Sequence, residues 1–371
     1  MLEGIVTKVD IDDFAFLDEV LQDKRIVLLG EQLHNDGTTF EMKARIIKYL
    51  HDKLGFNVIL YESGLYDMWY MGSRDTLNPN TGVFYFWGDN DECRPLWDYY
   101  RNSKQSENPI KLGGFDIQVS GRIGTVIRSQ LIENYLSEKG IELDDYPNLR
   151  TMIDRIYGGI WWEYKKMENS LYDSIQNDLS LILDRLEKEK AGYIDEVYYR
   201  YLSGIKIYNE LRWNYDSGNP IRMHIRDSLM ADNLIWLVED VYKNEKIIVW
   251  AANIHIFTTA LSEGEWYYKP MGASIKDRYK NDVYSMVFTS YARKNKAEHL
   301  YNVASNKSVE YLLYMNKNRY SFINLKDLPE DSFLNEDVIS TVNQMMNIKN
   351  NWKNQFDGVF FIDAITPLNA K

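Results

Sequence analysis

Three short stretches end apolar runs with side chains able to do acid–base chemistry. The first, Arg25-Ile26-Val27-Leu28-Leu29-Gly30-Glu31-Gln32-Leu33-His34, sets a carboxylate and an imidazole three residues apart. The second, Asn57-Val58-Ile59-Leu60-Tyr61-Glu62-Ser63, closes on another carboxylate. The third, Lys246-Ile247-Ile248-Val249-Trp250-Ala251-Ala252-Asn253-Ile254-His255, closes on another imidazole. The chain has five histidines, and two of them sit at the ends of these runs. A neighbouring anion raises an imidazole's pKa and fixes its tautomer, giving a competent base near neutral pH. His34 is therefore placed to take a proton from a water attacking an ester carbonyl, with Glu31 and Glu62 at hand. The same two imidazoles and two carboxylates would also make a zinc or manganese shell. Glu-x-x-His in a loop lacks, however, the helical His-Glu-x-x-His spacing of zinc proteases. A further carboxylate, Asp116, ends the run 109–117.

Other chemistries find no support. Ser63 and Ser120 lack the Gly-x-Ser-x-Gly flanks of a nucleophile elbow. The glycines from Gly30 to Gly37 have the wrong spacing for a nucleotide-binding loop. Cys93 lies in an Asp- and Glu-rich stretch that disfavours a thiolate.

The elements needed to position these groups follow from periodicity. A short amphipathic helix is predicted over 12–22 and a longer one over 38–54, where Phe40, Ala44, Ile47, Leu50 and Leu54 recur at helical spacing. Thr38 and Glu41 read as its capping box, and Gly55 as its stop. With strands before and after, this is a strand–loop–helix–strand unit, the signature of a parallel pair joined by a crossover. A right-handed crossover puts both strand ends on one sheet edge, where open α/β sheets hold their chemistry. Strands follow at 109–117, 246–251, 283–289 and 358–363, with a helix at 63–74. From 124 to 244 the pattern is helical throughout. The expected fold is α/β, with a mainly parallel or mixed central sheet flanked by helices and an inserted helical lid. The catalytic core is expected over 1–139 plus 219–371 and the lid over 140–218.

Pro220 opens a helix on which Arg222, Arg226, Met230 and Asn233 share one face. Arginines on that face would balance a carboxylate cluster or orient an anionic group; a solvated basic stripe is the plainer reading. His51, His224 and His299 read as surface or packing residues. Residues 25–34 align without gaps to 246–255, which would make His34 and His255 counterparts of a duplicated unit, with Ala252 in the place of Glu31. Chance likeness between buried strands is the alternative.

The totals narrow the setting. At 371 residues the chain holds one large domain with an insertion, or two. A net charge of -12 argues against nucleic acid or an anionic membrane as partner. The 28 Tyr and 10 Trp suit a cleft walled by rings. A lone Cys93 allows no internal disulfide, and the first 25 residues lack the apolar core of a signal peptide, so a cytoplasmic location is expected. No run is long enough to span a bilayer. Nothing in the sequence fixes an oligomeric state.

Taken together the motifs resemble the erythromycin esterase-like hydrolases, a family that includes proteins described as succinoglycan biosynthesis proteins. Its Gly-Glu-x-x-His-Gly motif is matched by Gly30-Glu31-Gln32-Leu33-His34-Asn35, and its strand ending in Glu by Gly55-Phe56-Asn57-Val58-Ile59-Leu60-Tyr61-Glu62. Gly114-Phe115-Asp116, Arg226-Asp227-Ser228-Leu229-Met230-Ala231-Asp232-Asn233-Leu234, Ala252-Asn253-Ile254-His255 and Phe361-Ile362-Asp363-Ala364 match further motifs in order. The resemblance implies hydrolysis of a carboxylic ester or macrolactone without a metal or other cofactor, with macrolide inactivation as one role. It implies His34 as general base and Glu31 and Glu62 as groups orienting it or the water. His255 would stabilise the oxyanion or bind substrate, and Asp116, Arg226, Asn253 and Lys43 would contact substrate. The chain departs from the family at Ala252, where a histidine is usual, at Asn35 for glycine, and at Lys43 for arginine. These departures bear on macrolides more than on hydrolysis. A metal-dependent hydrolase using the same cluster, and a non-catalytic binding protein, are the alternative readings.

Overall fold

The computed structural model describes residues 4–74, 78–123, 125–150, 168–216, 218–263 and 266–369. In chain order its strands are β1 Thr7–Lys8, β2 Ile26–Leu29, β3 Phe56–Gly64, β4 Lys111–Asp116, β5 Lys246–Trp250, β6 Leu261–Glu263, β7 Trp266–Tyr268, β8 Val283–Lys294, β9 Leu300–Tyr301, β10 Tyr320–Asn324, β11 Val338–Ser340, β12 Ile348–Asn350 and β13 Gly358–Ile365. The main sheet runs β1-β10-β13-β8-β2-β5-β3-β4, with β9 beside β8. From β13 to β4 all neighbours are parallel. The edge strands β10 and β1 are antiparallel, as is β9. The fold is thus α/β with a mostly parallel central sheet flanked by helices, as the sequence predicts.

β2, and β5 beyond its first residue Lys246, are apolar because helices cover both sheet faces, and Ile26 to Leu29 and Ile247 to Trp250 are fully buried. The helix Gly37–Leu54 leads from β2 to β3, packing Phe40, Ala44, Ile47 and Leu50 inward. Its cap differs from the Thr38–Glu41 box read from sequence. Asp36 is the N-cap, accepting the Thr39 N–H at 3.0 Å, while the Thr38 hydroxyl pairs with Thr366 at 2.8 Å. Gly55 ends the helix with φ 74°, a left-handed turn that suits glycine.

β2 and β3 are parallel but not adjacent, since β5 lies between them. Local sequence predicts the crossover and not the strand that slots into it. The β2–β5 register pairs Ile26 with Ile247 and Leu29 with Trp250, the same offset as the gapless alignment of the two segments. The loops after β2 and β5 therefore leave the sheet at one level, and the Asn253 N–H donates to the Glu31 carbonyl at 2.9 Å. On the other side, the β3–β4 register shifts between Tyr61 and Gly64. Glu62 and Ser63 fall within that break in the ladder.

Helices Asn169–Glu189 and Tyr193–Asn214 occupy the long helical stretch, and Pro220–Trp236 follows. Residues 151–167 of the stretch lie outside the described residues. Leu179, Ile182, Val197 and Leu202 share one hydrophobic cluster with Leu28, Leu60 and Val249, so this helical segment packs into the core of the sheet. The predicted helix over 12–22 is a 3-10 turn, Ala15–Leu17, followed by one α-turn, Asp18–Leu21.

Candidate active site

The C-terminal ends of β2, β5, β3 and β4 deliver Glu31 and His34, His255, Glu62 and Asp116 to one edge of the sheet. Gly30 permits the first turn, because a Cβ there would lie 2.0 Å from the Asn253 side-chain oxygen.

Glu31 is fully buried and organises one half of the site. Its Oε1 lies 3.2 Å from His34 Nδ1 and accepts the Trp87 indole N–H at 3.1 Å. Its Oε2 accepts from the ammonium of Lys43, which is fully buried and sits 4.2 Å from the centre of the Trp250 ring. Burial pulls Lys43 down to about 8 in spite of that ion pair. The His34 imidazole stays 42% exposed at the cleft, stacked on Phe86 with ring centres 4.8 Å apart. Burial acts to lower its pKa, but the Glu31 hydrogen bond and the charge of Glu62 outweigh it and leave it above the ordinary value. With Nδ1–H directed at Glu31, the Nε2 lone pair remains for a substrate-side proton.

The other half is an ion-pair chain. Arg226 grips Asp116 through Nε at 3.1 Å and Nη2 at 2.5 Å, and Nη2 also donates to Glu62 Oε1 at 2.9 Å. His255 Nε2 lies 3.2 Å from the same Glu62 oxygen, and Nδ1 lies 2.9 Å from both oxygens of Asp227. Burial opposes the charge on His255, yet Asp227 and Glu62 raise it to about 10. His255 is then an imidazolium at neutral pH, with both N–H groups held by carboxylates. The 3.2 Å approach of Arg226 Nη1 to its Nε2 becomes a contact of two cations bridged by Glu62. Burial works against ionising Glu62 too, but His255 and Arg226 hold it well below the usual carboxylate range. Glu62 Oε2 accepts the Ala252 N–H at 2.9 Å.

The structure thus brings together Glu31, His34, Glu62, Asp116, Arg226 and His255. Lys43 and Asn253, expected at the substrate, point inward. Asn253 is 1% exposed and donates to the Phe288 and Val342 carbonyls at 2.7 Å each. Three partners escaped the sequence reading. Asp227 follows Arg226 on the helix and so faces a different direction from it, while Phe86 and Trp87 stand in a single 3-10 turn, Tyr85–Trp87, whose only signal was the aromatic share of the composition. His51 is structural, bonded to Tyr99 at 2.5 Å and the Asn108 carbonyl at 2.9 Å. Among the described residues, no group of three or more His, Cys, Asp or Glu is arranged to hold a metal ion. No helix among them is long and apolar enough to cross a membrane.

Comparison with known proteins identifies the family. The chain is 28% identical over 308 residues to "Putative hydrolase YbfO" of Bacillus subtilis (strain 168), covering 76% of this chain and 68% of that one. It is 26% identical over 309 residues to the erythromycin esterase type II of Escherichia coli, covering 76% and 72%. Its fold matches a solved mutant of the erythromycin esterase EreC in an open conformation, with TM-score 0.69, 17% identity and coverage of 96% and 95%. The family model described as erythromycin esterase matches residues 51–365. This chain belongs to the erythromycin esterase family, a family of esterase-like hydrolases.

Proposed function

We propose that the chain hydrolyses a carboxylic ester or lactone by His34-activated water. The observation that carries this reading is the His34–Glu31 contact. One imidazole nitrogen is tied to a buried carboxylate and the other is open to the cleft, which is the state a general base needs. His34 Nε2 takes a proton from water as its oxygen attacks the carbonyl carbon. Glu62, held ionised beside His34, orients that water. The oxyanion forms near Arg226, whose side chain is 17% exposed and is the cation of the buried chain that reaches the cleft. His34 then returns the proton to the leaving oxygen. His255 acts through Glu62 and Arg226, since its own N–H groups are already engaged. The substrate is a small molecule.

Two carboxylates of the cluster already hold cations, Asp116 that of Arg226 and Glu31 that of Lys43. This favours water activation by His34 over a metal bound to the same groups. The test is a turnover screen of the purified chain on alkyl esters, aryl esters and macrolactones, with and without a strong chelator. Hydrolysis unaffected by the chelator is expected. Activity lost on chelation and restored by zinc or manganese would replace the mechanism with a metal-dependent one.

A further inference from the structure

Beside His34 lies a pocket of about 160 Å³ whose wall includes Phe86, the ring on which the His34 imidazole stacks. A cavity of roughly 150 Å³ accommodates a benzene-sized group, so the pocket is large enough for one ring. Its apolar surface comes from Tyr85, which is 66% exposed, from Phe86 and from Leu368. Leu368 is fixed there because its N–H donates to the Asn35 carbonyl at 3.1 Å, next to His34 in the chain.

The polar groups of the wall are unequal in what they can still bind. The Asn90 amide is engaged at both ends, donating to the Phe86 carbonyl and accepting from the Cys93 N–H at 2.8 Å each. The Asn80 side-chain oxygen accepts the Asp89 N–H at 3.2 Å. The Asp89 carboxylate is neutralised by Arg94 at 3.2 Å. Arg122 is different: its guanidinium makes no ion pair or hydrogen bond among the described residues, although its backbone N–H anchors it to the Asn80 carbonyl at 2.8 Å. The acceptors are mostly occupied, and of the donors left over the Arg122 guanidinium is the one that carries charge. Such a wall suits a flat ring carrying an anionic acceptor.

We propose that this pocket is a substrate subsite that takes a benzene-sized ring bearing a carboxylate, seated against Tyr85 with its anion on Arg122. Resting on the proposed hydrolysis at His34, it makes the preferred substrate an ester whose aryl part carries an acidic group. Arg122 then selects for charge, a role distinct from that of Arg226, which is already held by Asp116 and Glu62.

The test begins with binding, which needs no turnover. The full chain is titrated calorimetrically with benzoate and with neutral benzamide, alongside Arg122→Gln and Arg122→Lys. Benzoate should bind about tenfold or more tightly than benzamide, a difference of about 1.4 kcal/mol. Arg122→Gln should remove that preference and Arg122→Lys should restore part of it. Equal binding of the two ligands, no benzoate binding, or an unchanged preference in Arg122→Gln would overturn the proposal. Kinetics then separate the two ideas. In Arg122→Gln the ratio of kcat/KM for a carboxyl-bearing aryl ester to that for its neutral parent should fall about tenfold. Ester turnover with an unchanged ratio would remove the subsite and leave the hydrolase. Arg122-dependent benzoate binding without turnover of any ester would remove the hydrolase and leave the subsite.

Discussion

Nδ1 of His255 lies 2.9 Å from both carboxylate oxygens of Asp227, and Asp227 Oδ1 also accepts the Met271 N–H at 2.8 Å. Asp227 is therefore fixed by the backbone and in turn fixes His255. Through His255 it reaches Glu62, whose low pKa depends first on that imidazolium among the groups that favour its charge. A residue of the helix Pro220–Trp236 thus helps set the charge of a buried carboxylate at the sheet edge.

Replacing Asp227 with Asn removes one of the two anions that hold His255 protonated. Its titration should move from about 10 toward the ordinary histidine value of about 6.5. Histidine-resolved NMR reads this directly. Activity should become sensitive to alkaline pH at a correspondingly lower value. A His255 titration unmoved by the substitution would contradict the ion-pair chain.

Glu31 raises the pKa of His34, and the base must be unprotonated to act. The acidic limb of the kcat/KM profile should therefore lie above pH 6.5. In Glu31→Gln that limb should shift to lower pH, with a fall in kcat as the imidazole loses its orientation. A limb that stays in place would separate Glu31 from the base.

Arg226 carries two ion pairs in a largely buried position, to Asp116 and Glu62. Breaking such a pair strands buried charge, so Arg226→Ala should cost about 3–5 kcal/mol of stability. Arg226→Lys keeps the charge but loses the two-pronged grip on Asp116. It should fold better than the alanine variant while recovering little activity. Denaturant unfolding and turnover, measured side by side, check both statements.

How much of this was legible in sequence follows from which forces are local. The strands carrying Glu31, Glu62 and His255 were readable because fully buried parallel strands must be apolar at every position, as Val27 and Ile248 are. The helix Gly37–Leu54 was readable from its period and from Gly55. β10, Tyr-Ser-Phe-Ile-Asn, was missed because a five-residue strand interrupted by polar groups has no distinctive pattern. The place of β5 between β2 and β3 depends on contacts between residues some two hundred positions apart, which no window of sequence records. The same holds for Asn253: its motif places it at a strand end, but only the packing of β8 shows that its amide turns inward to Phe288.

Asp36 supplies a stability test independent of catalysis. Burial raises its pKa from 3.8 to about 7, against the pull of its Thr39 hydrogen bonds. The folded state thus holds a proton that the unfolded chain has lost, so stability falls as pH rises from about 4 to about 7 and stays reduced above that. Asn also caps helices well and cannot ionise. Asp36→Asn should therefore gain in Tm over the parent as pH rises across that window, by a few degrees at pH 8 and by little at pH 4. A constant Tm difference across the range would show that the Asp36 charge carries no such cost.

The account rests most heavily on His34 as the base. General-base catalysis contributes about 10²–10⁴-fold, so on any ester or lactone the chain hydrolyses, His34→Ala should lower kcat by that amount. The variant should keep the parent's circular dichroism and unfolding midpoint, because His34 is a half-exposed side chain at the cleft. A folded His34→Ala variant that turns substrate over at near the parent rate would contradict the mechanism at its centre.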